Sequence, residues 1–186
     1  MSDGRSTPDA ASAAHLILVG LPGAGKSTVG RLLAELLRRP FVDLDEVIAA
    51  RAGMPVPLIF KERGEAFFRQ TEREVTKGLP TQLPSVIAPG GGWIESPANI
   101  GVVRPPSRIV YLLVSPRRAL ARMDALAAER PLLAGRDPEM ALRVLLERRH
   151  PLYGAADMQV DTEMLTPQEV ANAVVRLALE QGIRIG

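Results

Sequence analysis

Apolar residues gather in short runs, separated by longer stretches in which they recur every three or four positions. The run HLILV at 15–19 is continuous and ends on a glycine, as a parallel strand buried on both faces would. FVDLDEVI at 41–48 carries acids at alternate positions, which predicts a second strand. SVIAPGGG at 85–92 predicts a third strand running into a glycine cluster, RIVYLLVS at 108–115 a fourth, and MQVDT at 158–162 a short fifth. Between the first two, KSTVGRLLAELLRR places Val29, Leu32, Leu33, Leu36 and Leu37 at helical spacing, and Pro40 stops that helix. Helices are also predicted over 57–77, over 116–129, and over 139–153 with an end near Pro151. The last helix has Thr166 as N-cap and Pro167 at its first position. Alternation of this kind implies an α/β fold, a three-layer α/β/α sandwich around a five-stranded parallel sheet.

At 186 residues the chain is the size of one domain. The expected division is a disordered leader over 1–14 and a single domain over 15–182. Twenty-three basic against 21 acidic residues is too balanced to announce nucleic-acid binding. The absence of cysteine excludes disulfides and thiolate metal sites and fits a reducing compartment. No apolar run is long enough to span a bilayer, and the first 14 residues lack an apolar signal core. A cytoplasmic protein with no membrane partner is expected.

GLPGAGKST at 20–28 fits the pattern G-x-x-x-x-G-K-[ST] through Gly20, Gly25, Lys26 and Ser27. Glycines, Gly23 and Gly25 among them, let the backbone curl so that N–H groups from Gly23 through Thr28, Ala24 included, point at phosphate oxygens. The helix beginning near Lys26 adds its positive end. Lys26 suits the β- and γ-phosphates, and the Ser27 hydroxyl suits Mg²⁺. The loop therefore calls for a nucleoside triphosphate and Mg²⁺, and leaves the acceptor open.

Asp43 and Asp45, two apart in the predicted second strand, would share a face at the carboxyl edge of the sheet. One carboxylate would hold a metal-bound water, and the other would take a hydroxyl proton from an attacking alcohol. Glu65, Arg69 and Glu72 share a helical face. A surface ion-pair ladder explains that spacing, and so does an arginine oriented by glutamates to fork onto a substrate carboxylate. The glycines at 90–92 suit either a flexible turn or close backbone approach to a ligand. Arg130 lies on a loop between helices that could close over the transferring group. Arg149 sits near a helix end, where a cation also complements the dipole. Neither His15 nor His150 has a metal-ligand partner at suitable spacing.

GLPGAGKST, FVDLDEVI, IFKERGEAFFRQTE, GGG, RPLLAG and RHPLY, in this order, resemble the shikimate kinase family over about residues 15–180. The resemblance implies a P-loop NTPase fold of the nucleoside-monophosphate-kinase type. It implies ATP-dependent phosphorylation of the 3-hydroxyl of shikimate, a step towards aromatic amino acids. By motif, Asp45 would bind the shikimate hydroxyls and act as base, Arg69 and Arg149 would hold the carboxylate, and Gly91 and Gly92 would present backbone. Asp43 would hold Mg²⁺ through water beside Ser27. Arg130, in a lid over 124–137, would contact the ATP phosphates, and Arg122 and Pro167 would sandwich adenine. The helical region over 46–77 would bind substrate, and the enzyme would work as a monomer. Trp93 departs from the family's smaller residue after the glycines and could narrow the pocket or pack away from it. A kinase for another hydroxy acid such as gluconate, and a ligand sensor without turnover, are the competing readings.

Overall fold

The computed structural model describes residues 14–123 and 137–183. Five strands, β1 (Leu16–Val19), β2 (Phe41–Asp43), β3 (Val86–Ala88), β4 (Arg108–Leu113) and β5 (Met158–Asp161), form one sheet in the order β2-β3-β1-β4-β5. All four pairings are parallel, with Leu16 opposite both Val86 and Arg108. The described residues also form α1 (Lys26–Leu37), α2 (Leu44–Ala52), α3 (Val56–Glu62), α4 (Gly64–Gly78), α5 (Pro97–Val103), α6 (Pro116–Met123), α7 (Pro138–Gly154) and α8 (Pro167–Glu180).

The period of two in β1 divides the interior. Leu16 and Leu18 pack with Val29, Leu33 and Leu37 of α1 and Val170 and Val174 of α8. Ile17 and Val19 face the opposite way, against Leu44 and Ile48 of α2, Phe68 and Val75 of α4, and Tyr153 of α7. A strand apolar on both faces needs helices above and below it, so the sandwich has three layers. The chain leaves β1 towards β2 on one side and leaves β4 towards β5 on the other. The crevice at their carboxyl ends is where such sheets bind ligands.

Two expectations about local structure are corrected. The segment 41–48 is not one strand: β2 ends at Asp43, and α2 starts at Leu44. The Asp43 carboxylate accepts the Asp45 N–H at 3.1 Å, and Asp45 and Glu46 occupy the first turn, where acids are favoured. Asp43 and Asp45 are thus neighbours through a helix cap, not through strand alternation. The segment 57–77 is two helices, interrupted at Gly64, whose φ of 78° an L side chain rarely adopts. Pro151 lies inside α7, which runs on to Gly154. Ser96 caps the unanticipated α5 by accepting the Asn99 N–H, with Pro97 at its first position. Ala14 is buried, and its carbonyl accepts from Arg39 at 2.7 Å.

His15 has a structural use. It is buried, its Nδ1 accepts the Ser85 N–H at 3.1 Å, and Nε2 donates to the Leu79 carbonyl at 2.9 Å. A backbone donor on Nδ1 requires the neutral ring. Burial pushes the His15 pKa down from 6.5; the Leu79 carbonyl opposes this and the Arg39 charge adds to it. The folded protein then binds fewer protons than the unfolded chain below pH 6.5. This contribution to stability is complete above the unfolded value and is lost as pH falls towards the folded one. Urea midpoints should therefore fall from about pH 7 to about pH 5.5, and the fall should be shallower in His15→Asn.

Candidate active site

The loop between β1 and α1 has three glycines at positive φ: Gly20 at 151°, Gly23 at 80° and Gly25 at 90°. A Cβ on Gly23 would run into the Ala119 backbone carbonyl, so the loop needs glycine there for space as well as conformation. Ala24 is buried, with its N–H on the Leu21 carbonyl at 3.1 Å, while Thr28 is exposed in the first turn of α1. Lys26 Nζ donates to the Gly20 and Leu21 carbonyls, both at 3.1 Å, which folds its ammonium back over the loop. Ser27 Oγ donates to Asp43 Oδ2 at 2.8 Å. A hydroxyl and a carboxylate at the phosphate loop are the hard oxygen donors that Mg²⁺ takes, with phosphate and water completing the shell. The residues present therefore fit that ion.

Asp43 joins the two halves of the site. One of its oxygens holds Ser27, and the other caps the helix that carries Asp45. Across from Asp45 runs the turn after β3, where three consecutive glycines face three different side chains. A Cβ on Gly90 would lie 2.7 Å from Asp45 Oδ1. One on Gly91 would lie 3.2 Å from Arg149 Nη1 and 3.9 Å from Pro22 of the phosphate loop. One on Gly92 would collide with the Arg69 guanidinium, with Cζ at 2.8 Å and Nη1 at 2.9 Å. Asp45, Arg149 and Arg69 thus close around one stretch of bare backbone beside the phosphate loop. The turn is built for close approach.

Arg69 is held from its own helix. Nη1 donates to both oxygens of Glu72, at 3.0 and 3.2 Å, and Nε donates to Glu65 at 3.3 Å. The Glu72 side chain is only 1% exposed, so this pair is not a solvated ladder. Burial pushes the Glu72 carboxyl up, Arg69 partly offsets that, and the nearby Asp45 carboxylate adds to the rise. Burial alone would lower the Arg69 pKa, but Glu72 and Glu65 carry it above its ordinary value. Arg149 is buried near the end of α7, and its Nε donates to Glu95. Beside it, burial pushes the Tyr153 phenol up against the opposing Arg149 charge.

Trp93 is fully buried and packs away from the pocket. Its indole N–H donates to Thr76 Oγ1 at 2.9 Å, and Thr76 donates to the Glu72 carbonyl at 2.8 Å. The glycine turn is thereby pinned to α4 directly beneath Arg69. Farther along the crevice, Arg122 Nη1 donates to Thr162 Oγ1 at 3.0 Å and Nη2 to the Thr162 carbonyl. Thr162 starts the loop that leads to Pro167, which is exposed at the head of α8. Arg130 and nearly all of the anticipated lid lie outside the described residues. Glu95, which holds Arg149, was not anticipated; its place five residues after Gly90 carried no spacing signal.

The family model described as shikimate kinase matches residues 22–178. The shikimate kinase of Synechococcus sp. (strain RCC307) is 42% identical over 162 residues, covering 87% of this chain and 83% of that protein. The chain belongs to the shikimate kinase family. Membership fits the site, since the matched span contains Lys26, Asp45, Arg69, the glycine turn and Arg149. A solved structure of shikimate kinase from Acinetobacter baumannii in complex with shikimate superposes with a TM-score of 0.85 at 37% identity, over 92% of this chain and 96% of that one. A gluconokinase from Sinorhizobium meliloti 1021 superposes with a TM-score of 0.60 at 16% identity, over 91% of this chain and 94% of that one. That second likeness is one of fold alone.

Proposed function

We propose that this chain transfers the γ-phosphoryl group of ATP to the 3-hydroxyl of shikimate, giving shikimate 3-phosphate. The observation that carries the reading is the convergence of Asp45, Arg69 and Arg149 on the bare turn Gly90–Gly92, beside the phosphate loop. One carboxylate and two guanidiniums are what an alcohol bearing its own carboxylate needs. The arginines grip the acid end through charge-assisted, fork-like hydrogen bonds. Gly91 and Gly92 allow the ring to lie against backbone. Asp45 then faces the hydroxyl and takes its proton as the new P–O bond forms and the bond from the γ-phosphorus to the β,γ-bridging oxygen breaks, with ADP as the leaving group.

On the nucleotide side, backbone N–H groups of Gly23 to Thr28 would receive the phosphates, that of Ala24 by leaving or sharing its bond to the Leu21 carbonyl, and the Lys26 ammonium would turn from the Gly20 and Leu21 carbonyls to phosphate oxygen. Ser27 would ligate Mg²⁺ directly and Asp43 through water; when bound, the ion offsets charge on the β- and γ-phosphates. Arg122 and Pro167 would flank the adenine, and Arg130 would reach the phosphates from the lid over 124–137. Closure excludes water that would otherwise accept the phosphoryl group. No described helix is long and apolar enough to cross a membrane. The reading includes a monomer working in the cytoplasm, with no nucleic-acid or membrane partner, and a kinase domain over 15–182.

A coupled ADP-release assay with shikimate and with gluconate tests the proposal. Turnover of shikimate and none of gluconate is expected. The reverse result, or shikimate binding with no ADP formed, would sink it.

A further inference from the structure

Glu95 stands at the end of the 3₁₀ turn that follows Gly92 and receives two arginines of α7 at once. Arg148 Nη2 donates to its Oε1 at 2.6 Å and Arg149 Nε to the same oxygen at 2.5 Å. Consecutive helix residues point about 100° apart, so one carboxylate reaching both must sit over the seam between them. The two arginines differ in setting: the Arg148 side chain is 62% exposed and that of Arg149 is 4% exposed. A buried guanidinium needs a partner, and Glu95 meets that need at the Nε edge alone. The opposite edge carries Nη1, with the Tyr153 phenol also beside the guanidinium. Nη1 is buried, has no hydrogen-bond partner among the described residues, and faces Gly91. Burial would push the Glu95 carboxyl up, but the hydrogen bonds from Arg149 and Arg148 hold it below the usual carboxylate range.

We propose that Glu95 is a positioning residue for substrate binding: it clamps the Nε edge of Arg149 so that the Nη edge is presented to the substrate carboxylate beside Gly91. The inference rests on reading Arg149 as a carboxylate-binding residue. It adds that the presenting geometry comes from the turn after the glycines and not from α7 itself. Because Glu95 lies three residues beyond Gly92, one short segment supplies both the backbone floor of the pocket and the anchor of one of its arginines.

Steady-state kinetics of Glu95→Ala, Arg149→Ala and the double variant test this, with shikimate and ATP varied separately. Glu95→Ala should raise the shikimate KM about tenfold and leave kcat and the ATP KM within about twofold. The double variant should be no worse than Arg149→Ala alone, because Glu95 acts through that residue. Glu95→Gln, which keeps an acceptor oxygen and loses the charge, should fall between wild type and Glu95→Ala. Should Glu95→Ala not fold, a rise of about threefold in the shikimate KM of Glu95→Gln supports the proposal, and no rise overturns it. An unchanged shikimate KM in a folded Glu95→Ala, or additive effects in the double variant, also overturns it. An unchanged KM in Arg149→Ala overturns the carboxylate assignment and the Glu95 role with it, so the two failures are told apart.

Discussion

Asp45→Asn is expected to lower turnover of shikimate by roughly a hundredfold to ten-thousandfold, the range for losing a general base, while ATP affinity stays unchanged. Asparagine is nearly isosteric and can still accept a hydrogen bond from the substrate hydroxyl. What it cannot do is take the proton. The local fold should survive the change, because the cap of α2 is Asp43 and Asp45 contributes only its backbone N–H to that cap. The loss should therefore appear in kcat, measured by coupled ADP release, with nucleotide binding by calorimetry as the control. In a loose phosphoryl-transfer transition state little charge builds on the attacking oxygen, which favours the lower part of the range. A kcat equal to wild type would remove Asp45 from the base role.

Arg69→Ala is expected to act on the other kinetic constant. Truncating one partner of a desolvated, charge-assisted pair costs roughly 2–5 kcal/mol, about 30-fold to several thousandfold in affinity. That loss should fall on shikimate, read as KM and as a calorimetric binding constant, and not on ATP. Arg69→Ala also strands Glu72, which is buried and whose carboxyl is already pushed up. Protonation of Glu72 then limits the cost to the fold. Arg69→Lys separates charge from fork: a lysine keeps the cation and loses the planar two-point grip, so its shikimate affinity should lie between wild type and alanine. An unchanged binding constant in both variants would return Arg69 to an ordinary intrahelical ion pair.

The sandwich was legible because the central strands β1 and β3 are covered on both faces and read as unbroken apolar runs, as LILV does in β1. The phosphate loop was legible because its glycines serve backbone conformation, which composition displays directly. The segment after β2 misled because Asp43 and Asp45 mimic strand alternation. The corrective signal was present: Asp43 stands three residues before Glu46, the spacing of a helix cap and its third-position acid. Ser96 followed by Pro97 announced α5 in the same way. At 65–72 the spacing showed that Arg69 and Glu72 share a face, but a helical pattern does not say which acid is buried. That depends on the packing of α4 against the glycine turn through Trp93 and Thr76. Glu95 was beyond reach for the related reason that its partners lie 53 and 54 residues away.

The run Gly90–Gly92 has a consequence for anyone who would retailor the acceptor. Each of the three positions already faces a different neighbour, so even a methyl group there forces Asp45 or Arg69 to shift at Gly90 or Gly92, and asks Arg149 to give by a few tenths of an ångström at Gly91. Remodelling that floor would move the side chains proposed to hold the acceptor. Altered preference would come more simply from the surrounding walls, through changes in the helices α2, α4 and α7 that leave those three glycines untouched.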